Sequence, residues 1–196
     1  MAEKDIATQT TTSGSYVIVR QFVSSEALAS QTISGTIKGQ VRAYETHSGA
    51  NCDLAVRVAL CASDGTNVRE LLAIKSEGNA AGNPVGGAPE FVVTPTTPTN
   101  RKFEEGAADY ALDLTSTAAD ANDRLIVEVG YGMQTTSSTR RGILVFGDDS
   151  GTDLAEDETT TTANNPWVEF SMDITFAGGG PPATPAFRLS LLRAGR

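Results

Sequence analysis

The sequence predicts an all-β protein: an antiparallel two-sheet β-sandwich, jelly-roll-like, with an N-terminal arm and a C-terminal extended tail. Three observations carry this. Apolar residues recur at every second position through most of the 196 residues, the period of half-buried strands. Nineteen glycines, with Thr, Ser, Asn and Pro, cluster between those runs and mark turns. Helical periodicity is scarce, so the crossover helices that a parallel sheet requires are missing.

Taken in order, "SYVIVRQFV" reads as a first, weaker strand. "SSEALAS" (Ser24 to Ser30) allows one helical turn. "QTISGTIKGQVRAYE" sets Ile33, Gly35, Ile37, Gly39, Val41 and Ala43 on one face against Thr36, Lys38, Gln40 and Arg42. "CDLAVRVALCA" sets Cys52, Leu54, Val56, Val58 and Leu60 against Asp53, Ala55, Arg57 and Ala59. "NVRELLAIK" is the one other place where a helix competes with a strand. "PEFVVT" and "DYALDL" read as weak strands, and the runs Glu77 to Glu90 and Thr94 to Asn100 as irregular loops. "DRLIVEVGYGM" sends Leu125, Val127, Val129, Tyr131 and Met133 one way. "GILVFG" is apolar enough to be buried on both faces. "PWVEFSMDITFAG" alternates most clearly, with Val168, Phe170, Met172, Ile174 and Phe176 inward.

The domain plan is an arm over 1–14, the sandwich over 15–177, a Gly/Pro linker over 178–186 and a docking tail over 187–196. Glycine in the linker gives freedom and proline gives extension. The tail "FRLSLLRAGR" holds three arginines and no acid, whereas residues 1–180 hold the other twelve basic residues and all 24 acids. Phe187, Arg188, Leu189, Leu191, Leu192 and Arg193 are therefore the expected docking residues, adding a strand to a partner's sheet or to their own.

The formal charge of −9 argues against nucleic acid and against an anionic membrane, since both need a basic surface. No apolar run is long enough to span a bilayer, and the first fifteen residues lack the apolar core of a signal peptide. A cytoplasmic product is expected. Cys52 and Cys61 lie nine positions apart on opposite faces of one strand, about 30 Å at about 3.3 Å per residue. They cannot pair with each other, and two packed, reduced thiols are expected.

Catalytic readings meet a short inventory. The lone histidine, His47, sits in a polar turn, and no nucleophile elbow accompanies it. The loop "GDDSGTDLAEDE" carries six carboxylates. Asp148, Asp149 and Asp153 around its glycine offer oxygens for calcium, without EF-hand spacing, and no other cofactor is implied. Glu128 and Glu169 fall on outward faces of different strands. As neighbours they would form either a salt-bridged ladder or the acid pair of a glycosidase-like enzyme. Trp167, outward on the last strand, is the candidate for stacking on a glycan in a carbohydrate-binding, receptor-recognition module.

Three stretches, "FVSSEALASQTISGTIKGQVRAYET", "DRLIVEVGYG" and "FGDDSGTDLAEDETTTTANNPWVEF", together resemble a group of structural proteins of tailed bacteriophages and prophages. The resemblance spans about Gln21 to Phe176 and carries no catalytic residue. It implies a multi-copy β-sandwich virion component, a capsid decoration or a tail-associated accessory protein. Its partners would be other virion proteins and further copies of itself, with a surface glycan possible. Its place would be the virion surface after assembly in the host cytoplasm. An acidic body suits the outside of a particle better than its DNA-facing inside.

Overall fold

The computed structural model describes residues 3–8, 16–75, 91, 93, 99–103, 112–133, 140–146, 166–178 and 188–190. Among them the strands are β1 (Glu3–Thr8), β2 (Tyr16–Val23), β3 (Gln31–Glu45), β4 (Cys52–Cys61), β5 (Arg69–Lys75), β6 (Thr99–Phe103), β7 (Asp113–Ala119), β8 (Arg124–Met133), β9 (Arg141–Phe146), β10 (Trp167–Phe170) and β11 (Arg188–Ser190). All pair antiparallel. The protein is all-β and sandwich-like, and no helix among the described residues is long and apolar enough to cross a membrane.

β3 organises the larger sheet because its 15 residues serve two neighbours along each edge. One edge takes β7 along residues 31–36 and then β6 along 39–43. The opposite edge takes β10 along 37–40 and then β9 along 42–45. β1 adds to β9, and β11 adds to β10. The smaller sheet runs β2-β8-β4-β5.

The core lies between these sets. Ile33, Ile37, Val41 and Ala43 of β3, with Leu144 and Phe146 of β9 and Val168 and Phe170 of β10, meet the alternate residues of β4 and β8. This is the period-two expectation realised, because alternate Cβ atoms leave opposite faces of a strand. Leu125, Val127, Val129 and Tyr131 are buried in that core as expected; Met133 sits at the end of β8. "GILVF" is buried on both faces: Leu144 and Phe146 join the core, while Ile143 and Val145 form a second cluster with Tyr44.

Several elements differ from the sequence reading. Gly35 does not share the inward face of β3. It is exposed with φ of 87°, at a register shift between Ile33 and Gly35. A bulge moves it out of step, and an added Cβ would meet Ser171 Oγ. β10 is shorter than the alternation through Phe176 predicts. Its ladder stops at Phe170, because the Ser171 hydroxyl accepts from the Thr36 backbone N–H (2.8 Å) and the Ser171 N–H donates to the Thr36 carbonyl (3.0 Å), at a bend. Beyond the ladder Ile174 is still buried and Met172 and Phe176 pack half-buried against the core as expected, Phe176 through an isolated bridge to Leu28.

"SSEALAS" makes no helical turn, since the Leu28 N–H donates to the Asp123 carbonyl (2.8 Å) instead of closing a local turn. "NVRELLAIK" resolves to a strand, β5. β7 starts at Asp113, later than "DYALDL" placed it, and uses the β-branched Thr115 and Thr117. β6 begins inside the run read as irregular. Of "PEFVVT" only Phe91 and Val93 are described, and neither is in a strand. Phe91 donates its N–H to the Cys52 carbonyl at 2.7 Å and packs its ring 6.4 Å from that of Tyr131.

Neither cysteine is in a disulfide and both are buried, Cys52 in the main core and Cys61 in a small outer cluster with Ala59 and Ile126. They lie at the two ends of β4 on opposite faces, as the spacing requires. Burial pushes the Cys61 thiol up, and the nearby Asp123 carboxylate adds to this.

Candidate functional site

Sequence chemistry concentrates at three places. The first is the outer face of the smaller sheet, where a polar row crosses all four strands. Gln21 of β2 donates to Glu128 Oε1 of β8 (2.6 Å), Arg57 of β4 donates to Glu128 Oε2 (2.8 Å), and Arg57 Nε reaches Glu70 of β5 (2.8 Å). The row forms because Gln21 and Arg57 both stand opposite Glu128 in the ladders. The Glu128 hydrogen bond is the largest cause that raises the Arg57 guanidinium above its ordinary value. Glu128 therefore has two donors fixed on it.

The second is the end of the sandwich near the β7–β8 turn. Asp123 is buried, accepts from the Asp120 N–H (2.6 Å) and pairs with Arg69, which also reaches Asp120 (3.2 Å) and the Ala118 carbonyl (3.0 Å). Ser24 closes the same end by accepting from the Leu125 N–H at 3.1 Å. This knot ties both sheets together and leaves Asp123 engaged on two sides.

The third is the margin of the larger sheet that carries both terminal strands. β9 takes β1 over six paired positions, from Glu3 opposite Phe146 to Thr8 opposite Arg141. β10, next along the same edge of β3, takes β11 over three: Trp167 opposite Ser190, Val168 opposite Leu189 and Glu169 opposite Arg188. Glu169 stands opposite Lys38 of β3 on its other side, and their charged groups lie 3.1 Å apart. Its second oxygen, Oε2, has no hydrogen-bond partner although the side chain is only 9% exposed. A buried carboxylate oxygen in that condition is costly.

The expected site residues fall as follows. Arg188 and Leu189 are in β11, whereas Phe187, Leu191, Leu192 and Arg193 lie outside the described residues. Asp148, Asp149 and Asp153 also lie outside them, and among the described residues no group of three or more His, Cys, Asp or Glu could hold a metal ion. Trp167 is 4% exposed on β10, so no open ring face is offered to a sugar. Glu128 and Glu169 are not neighbours. They sit in different sheets, each with its own cation. His47 is exposed in the β3–β4 turn, where its Nδ1 accepts from the Gly49 N–H at 2.9 Å.

Sequence reasoning missed the pairing of Lys38 with Glu169 and the convergence of both termini on one edge. The available signal was the opposite charge of "IKG" and "VEF" on outward positions.

In class, the arrangement is an antiparallel sandwich-like scaffold with its terminal strands added to one margin. No protein-family model matches the chain, and no curated protein matches it.

Proposed function

We propose that this chain is a non-enzymatic structural component of a tailed-phage virion, a capsid decoration or a tail-associated accessory protein. It attaches through its terminal segments, and its body is a two-sheet, jelly-roll-like sandwich. The observation that carries this reading is that β1 and β11 both add to the same side of the larger sheet. Terminal strands on an edge are the parts of a sandwich that can bond a neighbour without disturbing the core, because edge strands present unpaired backbone groups. The sequence likeness to phage structural proteins points the same way, and the net charge of −9 would keep many copies soluble before assembly.

The carbohydrate-binding and glycosidase-like alternatives gain no support from the geometry. Trp167 is covered, and Glu128 and Glu169 are held apart in different sheets.

The test is deletion of residues 181–196 in the phage or prophage that encodes the chain. The shortened protein is expected to fold and to be missing from particles. Normal incorporation would overturn attachment through the tail.

A further inference from the structure

The two terminal strands lie end to end in one row. Gly39 and Gln40 of β3 pair with β6 on one edge and with β10 on the other, while Arg42 and Ala43 pair with β6 and with β9. β9 and β10 therefore share one row along β3. Val145 stands opposite Arg42 and Trp167 opposite Gln40. Phe146 and Trp167 thus take successive positions, although residues 147–166 separate them in the chain. The next row repeats the join, with Ser190 opposite Trp167 and Glu3 opposite Phe146. β11 runs from Glu169 toward Trp167, and β1 runs on from Phe146 toward Arg141. The C-terminal strand heads straight into the N-terminal one.

This creates a conflict beyond Ser190. A strand continuing along that row would set Leu191 to Arg196 opposite Phe146 to Arg141, the six positions that Glu3 to Thr8 hold. The β9 edge can bond only one of the two, because each of its backbone groups completes one ladder. The tail is already anchored at Arg188 to Ser190, so each further pair would close beside the last, with almost no loop to order. The match along the slot is divided. At its near end Leu191 and Leu192 would stand opposite Phe146 and Val145, where the arm places Glu3 and Lys4; apolar cross-strand pairs favour the tail there. At its far end Arg196 would stand opposite Arg141, where the arm places Thr8; like charges directly opposite favour the arm.

We propose that the edge of β9 is a shared slot, in which residues 191–196 compete with the arm β1 and displace it from Glu3 onward. The exchange replaces six pairs with six, so its balance is set by the side chains and tethers rather than by the ladder. The arm holds the slot in the isolated subunit. Once displaced, it presents its own backbone groups to the sheet edge of a neighbour. The inference rests on the assembly reading and names a regulation of it: engagement of the tail releases the arm.

Hydrogen exchange read by mass spectrometry tests this on three chains: the wild type, one lacking residues 1–8, and one lacking both 1–8 and 191–196. With the arm gone the tail is expected to take the slot. Residues 141–146 then keep their protection, and residues 191–196 exchange at least about tenfold more slowly than in the wild type. Removing both segments is expected to bare the β9 edge and speed exchange at 141–146 by about tenfold. Equal exchange at 141–146 in the two shortened chains overturns the proposal, as does unchanged exchange at 191–196. Emission from the buried Trp167 reports whether the shortened chains fold. Asp5→Pro combined with Ile6→Pro gives a second reading at full length. Successive N–H groups of a strand point to opposite edges, so this pair of changes removes a donor facing β9. It is expected to slow exchange at 191–196 as arm deletion does, and no slowing in the folded variant overturns the proposal. These results are obtained without particles, so their failure leaves the virion reading to be decided by the deletion experiment.

Discussion

The ring of Tyr131 on β8 lies directly against the backbone of Gly142 on β9, joining the two sheets at one end of the core. A Cβ built at Gly142 would stand 2.8 Å from Cδ1 and Cγ of that ring. Tyr131 is fully buried, one of the largest side chains in the core, so the ring has nowhere to withdraw. Gly142→Ala should destabilise the fold by about 1–3 kcal/mol through overpacking. Pairing it with Tyr131→Leu should cost less than the sum of the two single changes, because the smaller side chain frees the space. Urea unfolding of the four proteins checks this, and strict additivity would show that the two residues do not press on each other.

The same tyrosine sets an alkaline limit on stability. Burial pushes its hydroxyl up to about 12, against the opposing effect of a hydrogen bond with the Gly142 backbone. In the unfolded chain a tyrosine ionises near 10. Its contribution is therefore intact below about pH 10 and is lost as pH rises from there towards about 12, because only the unfolded state releases the proton in that window. Two units correspond to about 2.7 kcal/mol. Tyr131→Phe should lower stability modestly at neutral pH and flatten the fall between pH 10 and 12. Equal slopes in the two proteins would contradict the assignment.

Within the polar row of the smaller sheet, the two ion pairs of Arg57 should differ in strength. Glu128 is largely covered, with 11% of its side chain exposed, whereas half of the Glu70 side chain meets solvent. Removing Arg57 strands a covered carboxylate, and removing Glu70 does not. A double-mutant cycle should give a coupling of about 1–3 kcal/mol for Arg57 with Glu128 and at most about 1 kcal/mol for Arg57 with Glu70. The reverse order would mean that the row is held from its exposed end.

At the β7–β8 turn the contrast is between two aspartates on one arginine. Asp123→Ala deletes a buried acceptor of both the Asp120 N–H and Arg69, and should cost about 2–4 kcal/mol. Asp120→Ala removes an exposed partner and should stay within about 0.5 kcal/mol. Thermal melts at pH 7 separate the two, and similar losses would refute the claim that Asp123 is the anchor.

Much of this architecture is legible in the sequence alone. Leu54, Val56 and Val58 on β4 and Leu125, Val127 and Val129 on β8 alternate because one face of each strand is buried, and that rule is local. The opposite-face placement of Cys52 and Cys61 followed from the same period. What escaped depends on contacts far apart in sequence. Nothing around Ser171 marks the end of β10; its ladder stops because Thr36, more than a hundred residues away, binds that hydroxyl. Gly35 looked like part of an inward face until the bulge shifted the register. "EKDIAT" shows no period because an edge strand needs only backbone pairing, which is blind to side-chain pattern. The Lys38–Glu169 pair was invisible for a related reason: it depends on the register of β10 against β3.

The measurement that bears most directly on the assembly reading is the copy number of this protein in purified particles, determined by quantitative mass spectrometry after separation into heads and tails. The account predicts a fixed stoichiometry in one fraction: hundreds of copies in heads for a decoration, or a handful in tails for an accessory component. It also predicts loss of the protein from that fraction when residues 181–196 are removed. Absence of the full-length protein from both fractions, in cells that produce it, would contradict the account.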